Sequence, residues 1–139
     1  MGNSVRRAVA TAATAVVVAV TGGQSPASAT AQWDFDWFRV CVDQAASMCV
    51  AGHIEWGNRT SKVAADITNN VAGGIATVRW DAFANSTKID SATSTVPART
   101  AEVNFTLGDP DLPGGVNRIR IQICSSPTRC SIQWNEIRD

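Results

Sequence analysis

The sequence predicts an all-β fold, an antiparallel two-layer β-sandwich of Ig-like architecture with about seven or eight short strands. Three observations carry this prediction. Apolar residues recur at every second position in one segment after another, which is the period of a half-buried strand. Gly, Asn and Pro punctuate those segments at short intervals. No stretch beyond residue 29 keeps a helical period.

Residues 1–29 read as a secretory signal peptide. Arg6 and Arg7 form a basic start, Ala8 to Val20 is an uncharged run rich in Ala and Val, and Gly22, Gly23 and Pro26 break it. Ala27-Ser28-Ala29 is a small-x-small cleavage site, and cleavage after Ala31 is the alternative. The run is shorter than the roughly 20 apolar residues that a membrane span needs. The paired arginines lack the rest of a twin-arginine pattern. The expected destination is therefore extracellular. Of the 12 basic residues two leave with the leader, so 10 face 12 acidic ones. That balance argues against nucleic acid and anionic membrane surfaces, both of which attract clustered Lys and Arg. The remaining length suits one domain with a modest core.

The exported part opens on aromatic residues. Of the chain's nine aromatic residues, five Trp and four Phe with no Tyr, four lie between Trp33 and Phe38. In QWDFDWFRV the alternation sets Trp33, Phe35 and Trp37 on one face and Asp34 and Asp36 on the other. Phe38 breaks the polar face. Residues 30–36 are therefore expected to form an arm or loose edge, and residue 37 to begin the first strand of a domain spanning 37–139. A terminal aromatic arm suits strand addition to a partner, or anchors dropped into a groove. The candidate contact residues are Trp33, Asp34, Phe35 and Asp36.

Cys41, Cys49, Cys124 and Cys130 make an even count in a small exported domain, which reads as two disulfides. Four cysteines allow three pairings, and the spacing favours the local ones, Cys41–Cys49 and Cys124–Cys130. Each closes a short loop and is expected to stabilise by roughly 2–3 kcal/mol. FRVCVDQAASMC and RIQICSSPTRC share a plan: a basic residue, a β-branched strand, a cysteine, a polar turn, a second cysteine. Neither spacing is that of a zinc site, and no metal is expected.

The later segments follow in order. HIEW aligns Ile54 with Trp56, and KVAADIT aligns Val63, Ala65 and Ile67. IATVRWDAF sets Ala76, Val78, Trp80 and Ala82 against Thr77, Arg79 and Asp81. AEVNFTL aligns Val103, Phe105 and Leu107, and NRIRIQIC aligns Ile119, Ile121 and Ile123. SIQWNEI closes the chain with Ile132 and Trp134 aligned. Trp56, Trp80 and Trp134 are all expected in the core. Turns are expected at Gly57-Asn58, Asn69-Asn70, Gly73-Gly74, Asn85-Ser86, Pro97 and Gly108 to Gly115.

Catalytic patterns are weak. His53 is the single histidine; it alternates with Ile54, so it points to solvent beside Glu55. A metal site needs three or four ligands. A triad has serines and aspartates to draw on but no nucleophile elbow. The carboxylate pairs Asp34/Asp36 and Asp109/Asp111 are of the kind a glycosidase uses, but Asp109 and Asp111 in GDPDLPGG read first as turn chemistry in a rigid surface loop, with calcium binding through carboxylates and carbonyls as the lesser alternative. Asn58, Asn85 and Asn104 begin glycosylation sequons, but the Ala-rich leader looks bacterial. No catalytic residue and no cofactor is assigned.

The leader, VCVD…C in the first strand, WGNRT after it and RIRIQIC…C near the end together resemble a group of small secreted actinobacterial proteins. That group includes the adaptor subunit of the antibacterial umbrella toxin particles. The resemblance covers most of the exported part through short motifs. It implies a non-catalytic adaptor whose arm, here Thr30 to Asp36, enters a cleft of a lectin subunit. Its body would dock on the stalk repeats of a large toxin subunit. The partners expected are thus other secreted proteins, with no nucleic acid and no membrane. The rival functions are a sugar-binding lectin and a small secreted hydrolase inhibitor presenting the loop around Pro127.

Overall fold

The computed structural model describes residues 34–139. The predicted leader, 1–29, and residues 30–33 of the predicted arm, Trp33 among them, lie outside the described residues. Among the described residues nine strands form: β1 Asp34–Cys41, β2 Met48–Trp56, β3 Thr60–Asn69, β4 Ile75–Ala84, β5 Thr87–Pro97, β6 Thr100–Gly108, β7 Arg118–Ser126, β8 Arg129–Cys130 and β9 Trp134–Ile137. They make two antiparallel sheets. The first has the order β1-β2-β3-β6; the second has the order β5-β4-β7-β8, with β9 also pairing with β7. The two-sheet sandwich is the fold class that the alternation predicts. Its chain path differs from an immunoglobulin constant domain, whose chain first crosses between sheets after two strands. Here three strands are laid down before the first crossing.

The inner faces are those read from the sequence. Val50, Ile54, Val63 and Ile67 of the first sheet are fully buried, as are Ala76, Val78, Trp80, Ala82, Ile119, Ile121 and Ile123 of the second. Trp80 is the largest of these side chains. Its ring meets Phe38 of β1 edge-on, with centroids 5.8 Å apart, and Phe105 of β6 at 5.3 Å. β1 and β6 are the two edges of the first sheet. Between them the row in register with Phe38 holds only Gly52 and Ala65. The indole thus fills space that small residues leave open. Gly52 is required for a further reason. A Cβ there would sit 2.1 Å from the Ala64 carbonyl oxygen and 2.6 Å from the Ala65 Cα, so β2 and β3 reach this spacing only without one.

Both disulfides are the local ones. Cys41 faces Cys49 across the β1–β2 hairpin, and Cys124 faces Cys130 across β7–β8. Arg129 reaches Asp43 at 3.2 Å and so connects the two cysteine hairpins. Asn69 ends β3 as a buried clamp. Its Nδ2 donates to the carbonyls of Gly74 and Val96, and its Oδ1 accepts from the Val71 amide.

Two expectations require correction. Trp134 is not a core residue: it is 40% exposed, Ile132 is exposed as well, and the indole N–H donates to Glu136. β9 is a four-residue edge strand paired only with β7, which leaves the indole partly open to solvent. The second is the strand count, about seven or eight expected and nine found among the described residues, since β5 shows no alternating apolar face in the sequence. β5 is the outer strand of the second sheet, rich in Ser and Thr, and only Val96 is fully enclosed.

Replacing Trp80 with Ala should lower the unfolding free energy by about 3–5 kcal/mol, read from urea unfolding at neutral pH. A loss within the roughly 0.5 kcal/mol typical of surface positions would contradict its central role.

Candidate functional site

β1 begins at Asp34, three residues earlier than the sequence suggests. Asp34, Phe35 and Asp36 pair in register with Trp56, Glu55 and Ile54. Phe38 and Val40 point inward and are buried. Since side chains alternate strictly, they fix the phase of the whole strand. Asp34 and Asp36 therefore lie on the inner side, near the rim, and Phe35 and Trp37 lie outside. Asp36 accepts a hydrogen bond from the indole N–H of Trp56. An inward carboxylate on an edge strand also discourages uncontrolled strand pairing.

The outer face of the first sheet follows from the register. Phe35 lines up with Glu55, Lys62 and Thr106. Trp37 lines up with His53, Ala64 and Asn104. Arg39 lines up with Ala51, Asp66 and Glu102. Phe35 is 48% exposed and Trp37 75% exposed. His53 lies against both rings, at 5.4 Å and 4.9 Å between centroids. It does lie on the outer face, as the alternation indicates, but leaning on aromatic rings. Beside this strip is a groove of about 500 Å³, walled by Trp37 and His53 on one side and by Asp66 and Glu102 on the other, with Ala51 and Ala64 in its floor.

The structure thus brings together Phe35 with two residues that were not among the candidates, Trp37 and His53, and separates Phe35 from Asp34 and Asp36. The carboxylates across the groove were not singled out either. Asp66 and Glu102 are far apart in sequence, and only the β3–β6 register reveals that they face each other. Ala51 and Ala64 gave a faint signal, being small residues where a strand's solvent face usually carries Thr, Lys or Glu.

The outer face of the second sheet has another character. Arg118 stacks over Phe83 at 3.9 Å, and Arg120 lies 5.1 Å from the same ring. Asp81 pairs with Arg120 at 2.7 Å and with Lys88 at 3.5 Å. Partial burial raises the Asp81 carboxyl, but the hydrogen bond from Arg120 and the charges of Lys88 and Arg120 outweigh it, so its pKa lies below the ordinary value. Asp43 is also held low, first by the Ser47 hydroxyl and amide and then by Arg129. Asp109 accepts from the Asp111 amide inside its own turn, which is the turn chemistry that GDPDLPGG suggests. Among the described residues no three His, Cys, Asp or Glu side chains converge as a metal site.

No protein-family model matches the chain, and neither does a curated protein or a solved structure.

Two outcomes are expected from these contacts. Asp36→Ala leaves the buried Trp56 indole N–H without its acceptor and should cost about 1–3 kcal/mol in denaturant unfolding, with Asp36→Asn recovering part of the loss. Asp81→Asn should destabilise at neutral pH. A carboxyl with a depressed folded pKa stabilises above its unfolded pKa and loses that contribution as pH falls through the folded one. The gap between wild type and Asp81→Asn, read from urea midpoints, should therefore close as pH falls below 3.8, the ordinary Asp value.

Proposed function

We propose that this protein is a secreted, non-catalytic protein-binding module whose contact surface is the outer face of the first sheet, centred on Phe35, Trp37 and His53. One observation carries the reading. Trp37 is 75% exposed, yet it sits on a strand in full register with its neighbour and stapled to it by Cys41–Cys49. A large ring held rigidly in water costs little ordering entropy on binding, and Trp is a common interface anchor. Continuity with an edge strand adds main-chain groups that a partner strand can pair with. The disulfides fit an oxidising, extracellular setting, and the signal-like leader supplies the route there.

The resemblance to umbrella toxin adaptors supports a narrower version. In it the module links a lectin subunit to a large repeat-containing toxin subunit, so that two different surfaces are engaged at once. The aromatic strip lies on the same strand that continues from the predicted arm, and both would belong to one of those contacts.

The test uses the protein as bait in culture supernatant, with captured proteins identified by mass spectrometry and their affinity then measured singly. Trp37→Ala and Phe35→Ala should weaken capture at least about tenfold, or roughly 1.4 kcal/mol, with the melting temperature nearly unchanged. Full capture by both variants would remove this face as the contact surface.

A further inference from the structure

We propose that the groove on the outer face of the first sheet receives a basic side chain, arginine or lysine, from an extended segment of the partner. The cation lies between the Trp37 ring and the paired carboxylates of Asp66 and Glu102. This rests on the reading of that face as a contact surface and names the chemistry it selects.

The groove has the shape for it. Trp37 stands on β1 and Asp66 on β3, two strands across and two residues along, so with strands about 4.8 Å apart and about 3.4 Å per residue their backbones are about 12 Å from each other. That width suits a long side chain laid across the strands. The floor is kept low by Ala51 and Ala64. A Lys or Glu at either position would fill the groove from within.

Charge then decides between occupants. Asp66 and Glu102 are directly opposed in the β3–β6 ladder, and both are exposed. Like charges so placed repel and weaken the pairing. Among the described residues neither carboxylate makes an ion pair. Arg39 shares their row but is separated from Asp66 by Ala51. Arg39 and Asp66 line a neighbouring depression together but form no ion pair, so the juxtaposition of Asp66 with Glu102 stays uncompensated, whereas an incoming cation bridges both carboxylates and relieves the repulsion. The opposite wall completes the recognition. The exposed ring of Trp37 attracts a cation over its face, and guanidinium groups stack there as well.

A neutral sugar fits less well. It would also stack on Trp37, but its hydroxyls need donors and acceptors in balance. The charged groups lining the groove are both acceptors, and the donors on its walls are the Trp37 indole and the His53 ring.

The experiment titrates the full chain with a blocked pentapeptide, acetyl-Ser-Arg-Ser-Arg-Ser-amide, and follows backbone amide and indole NMR shifts. Chitotriose and the Glu-for-Arg peptide serve as comparisons. The arginine peptide should shift the Trp37 indole and the amides of Ala51 and Ala64, and the acidic peptide should not. D66N/E102Q should weaken the arginine peptide at least about tenfold, and W37A likewise. Because the double variant removes a repulsion, its melting temperature should equal or exceed that of the wild type. Shifts scattered over the surface, or shifts insensitive to D66N/E102Q, overturn the proposal. So does chitotriose moving the same residues where the arginine peptide does not. If the peptide fails while W37A still abolishes partner capture, the contact surface stands and its selectivity for cations falls. If the peptide binds in the groove while W37A retains capture, the cation site stands and the contact surface falls.

Discussion

Trp80 and the small residues opposite it set the geometry on which both faces of the first sheet depend. A sandwich core is filled by side chains of moderate size from two facing sheets. A Trp at its centre needs a matching recess. Gly52 and Ala65 provide one, and Phe38 and Phe105 close it from the two edges of the sheet. The edges are thereby tied to the middle of the opposite sheet. β1 owes part of its fixed position to this tie, and the remainder to its ladder with β2 and the cross-strand disulfide. Among the described residues the indole N–H of Trp80 has no hydrogen-bond partner, so packing has to outweigh a polar group left unsatisfied.

The phase of β1 then decides what is presented to solvent. Phe38 and Val40 must face inward, and with a period of two no other choice remains for Phe35 and Trp37. Taken alone, DFDW is ambiguous: aromatics in and aspartates out is the commoner arrangement. The structure takes the reverse because the inward places at the rim are served by Asp34 and Asp36, one of which satisfies the Trp56 indole. The exposure of two large rings is thus a consequence of core packing two residues further along. It is not looseness of the segment.

Most of the sandwich was legible in the sequence. HIEW, KVAADIT, IATVRWDAF and RIRIQIC show their buried faces directly, since each pairs a hydrophobic side with a polar one. The local disulfides followed from spacing. β5 stayed hidden because an outer strand half open to water has little need of apolar residues, and Thr and Ser tolerate either face. Trp134 misled for the opposite reason. Its spacing from Ile132 mimics a buried face, but the segment is a short edge strand paired only with β7, and Trp134 stays 40% exposed. The groove was invisible because its parts come from β1, β2, β3 and β6. Nothing in any one segment announces that Asp66 meets Glu102, or that Ala51 and Ala64 leave a depression between them.

The groove and the recess for Trp80 come from the same short stretches of β2 and β3. Ala51 and Ala64 point outward; Gly52 and Ala65, their immediate neighbours in sequence, point inward. The sheet is therefore thin here on both sides at once. A larger residue at position 52 would drive β2 away from β3 and would alter the floor of the groove without touching its walls. Filling of the core by Trp80 supports the thin region from beneath, so the depth of the outer groove is maintained by packing and not by the groove's own residues. A binding surface built this way needs few conspicuous side chains. Its shape is carried by absences, at positions 51, 52, 64 and 65, and its chemistry by one ring and two carboxylates standing around them.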